Sequence, residues 1–456
     1  MTIKYRGILE WVKQQIEEKQ LKTGDKLPSI RLLAEQFQCS KNTVVKALLE
    51  LEKQHIVYAK PKSGYYVVDY FQTPTPDEKI DFLSAGPDQR IMPYEDFQHC
   101  MNQAIDHYKE QLFTYNDHQG LYSLRGELAK YLQHLQVFTT PERLVITSGS
   151  QQALHILSAL PFPNGKRNIL IEQPTYFGML DTLRLNHLPT LGIDLSMDGI
   201  DFERLEDLFR TNDLKFFYIV PRCHNPLGHH YTNEEKKKIV ALAEKYDVYI
   251  IEDDFLAELD TDSKADPLFA YEPNGRVIYV KSFSKVFLPG LRIATVVLPE
   301  KMISTFVHYK FSADFNTSPL SQGALEIYLK NGMFQYHLES VKKLYLTKMN
   351  LLVEACALYL PEYVQFTKPK FGFYLTIFLP PQINVDQLIN RLHEKHIFVE
   401  NATRMFLAEY NQPAIRLCIS QVNENKIHLG IQQLASCIID LYEKKKYIPL
   451  SFKSKN

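Results

Sequence analysis

From about residue 81 to 445 the chain alternates helical apolar spacing with short, unbroken apolar runs, and this alternation limits the fold more than any other feature. Lys215-Phe-Phe-Tyr-Ile-Val220 and Val277-Ile-Tyr-Val280 are runs of this kind. A strand with one wet face alternates apolar and polar residues, whereas a strand covered on both faces has no such need. The pattern therefore predicts a large α/β layer domain. At 456 residues the chain is also too long for one ordinary core. Residues 1–68 read as a separate helix-rich module that ends in a Gly-containing hairpin. Residues 69–80, with Pro74 and Pro76 among polar neighbours, read as a short, stiff linker, and 446–456 as a polar tail.

Charge separates the same two parts. The whole chain carries a net charge of −1, yet residues 1–68 hold 12 Lys/Arg against 7 Asp/Glu, a balance of +5 that leaves −6 for the rest. A basic module on an acidic body suits contact with a polyanion, although a solvated surface produces the same balance. With 45% hydrophobic and 23% charged residues the composition is globular. The six cysteines (Cys39, Cys100, Cys223, Cys356, Cys418 and Cys437) are far apart and form no CxxC pair, so neither a zinc knuckle nor a disulfide frame is expected, and no metal. No signal peptide opens the chain and no apolar run reaches the ~18–20 residues of a spanning helix. A cytoplasmic location with no membrane partner is expected.

In the basic module, Ile8, Trp11, Val12 and Ile16 recur at helical spacing. Ser29 is placed to cap a second helix through about Gln38 that buries Leu32, Leu33 and Phe37. Gln38-Cys39 makes a tight turn, and Ser40 caps a third helix, 41–53, with Val44, Leu48 and Leu51 inward. Two helices about a tight turn read as helix-turn-helix, with Lys41, Asn42, Thr43 and Lys46 polar and off the apolar stripe, where a major groove would meet them. Ile56–Lys60 and Tyr65–Val68 flank Pro61-Lys62-Ser63-Gly64, a wing with lysine at its tip.

In the larger part, Ser282-Phe-Ser-Lys285-Val-Phe-Leu-Pro-Gly290-Leu-Arg292 follows a buried strand. A lysine held there is partly desolvated, which lowers its pKa and frees the neutral amine to attack a carbonyl, and Arg292 is spaced to clamp a phosphate. Thr147-Ser-Gly-Ser150-Gln151 carries a strand through a small-residue turn into a helix, whose first N–H groups make an anion site.

These strings resemble known families. Leu21…Gly24-Asp-Lys-Leu-Pro28-Ser29-Ile-Arg31-Leu-Leu-Ala34…Ser40-Lys-Asn-Thr43-Val44…Lys62-Ser-Gly64 closely resembles the GntR winged-helix family, in which Arg31 and the start of the third helix face DNA. The Lys285 string resembles the pyridoxal phosphate (PLP) lysine signature of class I/II aminotransferases. That resemblance makes Lys285 the Schiff-base lysine, Asp253 in Ile251-Glu-Asp253-Asp254 the partner of the ring nitrogen, and Arg292, Ser150, Gln151 and Ser282 ligands of the cofactor. It makes Tyr176, after Gln173-Pro174, the stacking aromatic. Asn225 in His224-Asn225-Pro226-Leu227-Gly228 bonds the ring hydroxyl, and Arg416 binds a substrate carboxylate. Tyr115 is expected to reach the phosphate of a neighbouring subunit. The fold implied is an N-terminal all-α, winged helix-turn-helix domain plus a large α/β domain of the PLP-dependent transferase kind (aminotransferase fold type I). Together the halves look like the MocR subfamily of GntR regulators, homodimers in which PLP, or PLP with an amino compound, controls binding to a double-stranded DNA operator. A catalytically active aminotransferase carrying a DNA-binding module is the alternative.

Three positions depart from the pattern. His55 stands where relatives often have Gly. Phe255 and Leu256 stand where a tyrosine usually bonds the ring hydroxyl, which should raise the Schiff-base pKa. Gly178 stands where γ-aminobutyrate sensors have an arginine, so that effector is not expected here.

Overall fold

The computed structural model describes residues 2–18, 20–22, 24–53, 56–60, 63–68, 79–262, 265–407 and 412–446. They fall into two units, Met1–Glu78 and Lys79–Asn456. His55, Lys62, most of the proposed linker and nearly all of the proposed tail lie outside the described residues.

The first unit contains α1 (Thr2–Glu17), α2 (Ile30–Gln36), α3 (Lys41–Lys53) and an antiparallel hairpin, β1 (Val57–Lys60) with β2 (Gly64–Val67). Its core is Ile8, Val12, Leu27, Leu33, Val44, Ala47, Leu48, Leu51, Ile56 and Val57. The Ser29 side chain accepts from Leu32 N, and Ser40 Oγ accepts from Thr43 N, so both expected caps form. Helix α2 stops two residues short of expectation because Gln38 turns left-handed (φ 47°). Leu32 does not join the core: it is 55% exposed, one position off the stripe that carries Leu33.

The second unit is built on an eight-stranded sheet of order β4-β11-β10-β9-β8-β5-β6-β7. Strand β3 (Ile80–Asp81) lies across the end of the stretch read as linker and pairs elsewhere. The sheet comprises β4 (Leu144–Thr147), β5 (Asn168–Gln173), β6 (Thr190–Ser196), β7 (Gly199–Ile200), β8 (Leu214–Ile219), β9 (Tyr249–Asp253), β10 (Val277–Ser282) and β11 (Ala294–Val297). Strands β6, β5, β8, β9 and β10 run parallel, and β11 is antiparallel to both its neighbours. Every residue of β8 and β10 is buried, as their unbroken apolar runs require.

Helices α4 (Tyr94–Tyr108), α5 (Tyr122–Gln133), α6 (Ser150–Ala159), α7 (Phe177–Leu185), α8 (Phe202–Thr211), α9 (Asn233–Lys245), α10 (Glu300–Asp314) and α11 (Pro319–Lys330) connect and accompany this sheet. The long α12 (Met333–Tyr359) then leads to a second layer. There β12 (Gln365–Phe366), β13 (Tyr374–Phe378), β16 (Ala414–Cys418) and β15 (Glu400–Asn401) form a four-stranded sheet, and β14 (Ile397–Phe398) pairs with β3. Helices α13 (Val385–Glu394) and α14 (Glu424–Lys446) complete it. Among the described residues no helix is long and apolar enough to cross a membrane.

Candidate functional site

In an open α/β sheet, ligands bind beyond the carboxyl ends of the parallel strands. Asp253 ends β9 and Ser282 ends β10, which places both at that edge. Lys285 follows three residues later in a turn, half-buried, and its Nζ donates to the Ala85 carbonyl at 2.9 Å. Burial is the first cause that lowers its pKa, opposed and assisted by nearby Cys418, Arg416, Asp253 and Arg292.

Asp253 is buried, and its two oxygens differ. Oδ2 accepts from the Tyr218 hydroxyl at 2.8 Å, whereas Oδ1 is buried without a partner. Burial pushes this carboxyl up to about 7, against the Tyr218 hydrogen bond and the positive charges of Lys281 and Lys285. An orphaned buried acceptor is costly, and a protonated ring nitrogen would satisfy it.

The small-residue turn after β4 leads directly into a helix. Helix α6 opens at Ser150 behind Gly149 (φ 87°), and no side chain caps its first turn. The Arg292 guanidinium, itself exposed, lies so close to Gly149 that a Cβ there would collide with it. The backbone angle favours glycine here, and the approach brings the Arg292 guanidinium against the turn. The Gln151 side chain donates to Gly178 O at 2.8 Å and Thr182 Oγ1 at 2.9 Å, so only its main-chain N–H stands at the helix start. Tyr176 precedes α7 half-buried, and its hydroxyl is pushed up first by burial and then by the Asp253 carboxylate. A Cβ at Gly178 would come within 2.5 Å of the Tyr176 ring and of Gln151 Oε1, so position 178 has no room for an arginine as α7 stands.

Asn225 and Arg416, 191 positions apart in sequence, meet in the buried interior. Arg416 Nη1 donates to Asn225 Oδ1 at 3.2 Å and Nη2 to Leu83 O at 3.1 Å, while Nε is buried without a partner. The guanidinium stands 5.0 Å over the Tyr374 ring, and Glu400 lies directly across from it on β15. Phe255 is buried near Tyr374 and brings no hydroxyl. Tyr115 stands apart from these groups, 84% exposed and packed against Phe315.

Sequence reasoning missed Tyr218 and the carbonyls of Leu83 and Ala85. Tyr218 sits in a run read only as a buried strand, and a buried tyrosine usually finds a partner for its hydroxyl, which is the signal available. The two carbonyls belong to an irregular segment with no motif. Its start is fixed by Asp81, whose side chain accepts from Leu83 N, Ser84 N and Ser84 Oγ.

In the first unit, Lys41, Asn42 and Lys46 are exposed and Thr43 is half-buried, all clear of the α3 core stripe. The Arg31 side chain is 81% exposed, 3.4 Å from Glu35. The wing turn closes with Ser63 N donating to Lys60 O, and Tyr58 stacks on Tyr66 along the hairpin.

The aminotransferase class I and II family matches residues 89–434, and the gntR family of bacterial regulatory proteins matches residues 4–67. An uncharacterized HTH-type transcriptional regulator of Bacillus subtilis, YcxD, is 41% identical over 444 residues, which is 95% of this chain and 99% of that protein. HTH-type transcriptional regulator NorG of Staphylococcus aureus is 25% identical over 437 residues, covering 88% and 97%. The crystal structure of Pyrococcus horikoshii kynurenine aminotransferase superposes with a TM-score of 0.74 at 27% identity, covering 80% of this chain and 91% of that one. An archaeal alanine:glyoxylate aminotransferase gives 0.74 at 26% identity, with 87% and 94% covered. The chain therefore belongs to the class I and II aminotransferase family through its large unit and to the GntR family through its small one, the fusion that marks MocR-type helix-turn-helix transcriptional regulators.

Proposed function

We propose that this regulator holds pyridoxal 5′-phosphate in the large unit and uses it, alone or with a small amine or amino-acid ligand, to set the affinity of the small unit for DNA. The observation that carries the reading is the hold of Lys285 and Arg416 on the main chain at Ala85 and Leu83. When bound, the cofactor supplies an aldehyde that condenses with a primary amine and a ring that withdraws electrons. Lys285 supplies the amine, and its burial favours the neutral, nucleophilic form. Asp253 Oδ1 takes the ring nitrogen. Asn225, whose Oδ1 is committed to Arg416, offers its amide N–H₂ to the ring hydroxyl. Arg292, Ser150, Ser282 and the first N–H groups of α6, Gln151 included, hold the phosphate, and Tyr176 stacks on the ring. Tyr115, exposed on this protomer, is available to a second copy in a homodimer.

Segment 80–88 gives the site a mechanical outlet. Lys285 donates to Ala85, Arg416 to Leu83, Ser420 to Ser84, and Gln421 to Gly86 and Pro87. A ligand carboxylate that recruits Arg416 competes with the Leu83 carbonyl, and a cofactor that occupies Lys285 competes with the Ala85 carbonyl. Occupancy of the site thus alters the hold on a segment that continues directly from the linker. In the small unit, α3 and its cap Ser40 enter the major groove with Lys41, Asn42, Thr43 and Lys46, while Arg31 and Lys62 contact the backbone. Two copies then read half-sites one helical turn, ~34 Å, or a multiple apart. Such a protein acts beside the chromosome in the cytoplasm.

Gel shift on the protein's own upstream DNA, with and without PLP and with candidate amines, tests the reading. A specific band whose midpoint moves with PLP or amine is expected. Absence of a specific band in every state contradicts it, and sustained turnover with a keto-acid acceptor moves the assignment to the catalytic alternative.

A further inference from the structure

The two oxygens of Asp253 are treated differently by the fold. Tyr218 lies on β8 and Asp253 on the adjacent β9, both fully enclosed. The phenol donates to Oδ2 at 2.8 Å and leaves Oδ1 buried and unpartnered. Holding one oxygen of a carboxylate stops its rotation, so the free oxygen keeps one position. Burial and the neighbouring Asp253 keep the Tyr218 phenol protonated, so it remains a donor across the working pH range. Resting on the cofactor reading above, we propose that Tyr218 is a positioning residue of the cofactor site: its hydroxyl holds Oδ2, reserves Oδ1 for the ring nitrogen and favours the ionised carboxylate there. This is not the phenol missing at positions 255 and 256, whose place is at the ring hydroxyl. A different phenol acts at the opposite end, on the partner of the ring nitrogen.

The charged and titratable groups around this pair are Tyr176 at the start of α7, Glu172 on β5, Asp254 on β9, Lys281 on β10 and Lys285 beyond it. Asp254 is committed to Arg222 and Tyr279, Lys281 to Glu258 at 2.7 Å, and Glu172 to Tyr231 at 2.6 Å. Tyr218→Phe leaves those pairs in place.

The test uses the full-length protein and two readouts that need no turnover: PLP affinity, and the pH midpoint of the bound cofactor's visible band. Tyr218→Phe, Asp253→Asn and the double variant are compared with wild type. Loss of one hydrogen bond to a charged group should weaken PLP by roughly tenfold in Tyr218→Phe. The midpoint should rise, because a carboxyl that keeps its proton no longer supports positive charge on the ring. In the Asp253→Asn background the same change should add less than about twofold and no further rise, since the hydroxyl acts through Asp253. Site-specific fluorotyrosine at 218, a stronger donor of the same shape, should move the midpoint down. An unmoved midpoint in Tyr218→Phe, or an equal shift with and without Asp253, would assign Tyr218 to packing alone. A wild-type protein that develops no visible band with PLP overturns the cofactor reading itself, and this inference with it.

Discussion

The two units differ in how deeply each buries the groups assigned to it. In the small unit the groups proposed to meet DNA stand in water: Lys41, Asn42 and Lys46 are exposed, and the Arg31 side chain is 81% exposed. In the large unit the deepest of them are folded inside, while Lys285 and Tyr176 are half-buried and Arg292 is exposed. Asp253 and Arg416 are 3% exposed, and each carries a buried polar atom without a partner. Exposed charges act nearly independently and are screened by salt. Buried ones are coupled, so that removing one leaves its neighbours unsatisfied. One chain thus joins a contact surface that tolerates change to a pocket that does not.

The largest effect should come from the pocket. Arg292→Ala removes the guanidinium packed over Gly149 and should weaken PLP by roughly 10–100-fold, the worth of charge-assisted hydrogen bonds. Equilibrium dialysis reads it, and an unchanged dissociation constant would break the assignment of this anion site. Next is the surface. Lys41→Ala or Lys46→Ala should lower DNA affinity on all sequences alike and reduce the log–log salt slope by about 1 each, with PLP affinity unchanged. Strong dependence of PLP affinity on either lysine would erase the contrast between the units.

A smaller effect is read by pH. The folded Asp253 carboxyl is pushed up to about 7, while the unfolded chain titrates it near its ordinary 3.8. The folded state therefore keeps a proton that the unfolded state has lost. This contribution to stability is full below about pH 4 and disappears as pH rises to about 7. Without PLP, the Tm of wild type should fall over that window more steeply than the Tm of Asp253→Asn; parallel curves would show that the carboxyl titrates normally. The smallest change belongs to the surface again. Leu32→Ala, at a residue 55% exposed, should cost under about 0.5 kcal/mol in chemical denaturation, and a loss of several kcal/mol would mean that Leu32 is covered.

The last prediction marks a limit of sequence reasoning. Leu32 and Leu33 are both apolar and adjacent, and only the packing of α2 against the other helices selects Leu33. The strands were legible because burial on both faces leaves an unbroken apolar run, as in β8 and β10. Both helix caps were legible because Ser29 and Ser40 act within three residues of themselves. The motif residues were legible as members of strings, but their meetings were not. The Arg416–Asn225 contact closes across 191 positions, and Tyr218 reaches Asp253 from a neighbouring strand. The string names Gln151 without saying which of its groups matters; its side chain donates to Gly178 O and Thr182 Oγ1, which leaves its main-chain N–H at the helix start. The segment carrying Leu83 and Ala85 has no pattern to read, because its carbonyls rather than its side chains make the contacts.

Coupling between the two units is measured most directly by operator binding in fluorescence anisotropy, using full-length wild type and Lys285→Ala, each titrated with PLP, followed by borohydride reduction and peptide mapping. PLP is expected to shift the wild-type midpoint, reduction to fix a pyridoxyl mass at Lys285, and Lys285→Ala to bind DNA still but respond to PLP no longer. A PLP response that survives in Lys285→Ala, or a wild-type digest with Lys285 unlabelled, would contradict that expectation.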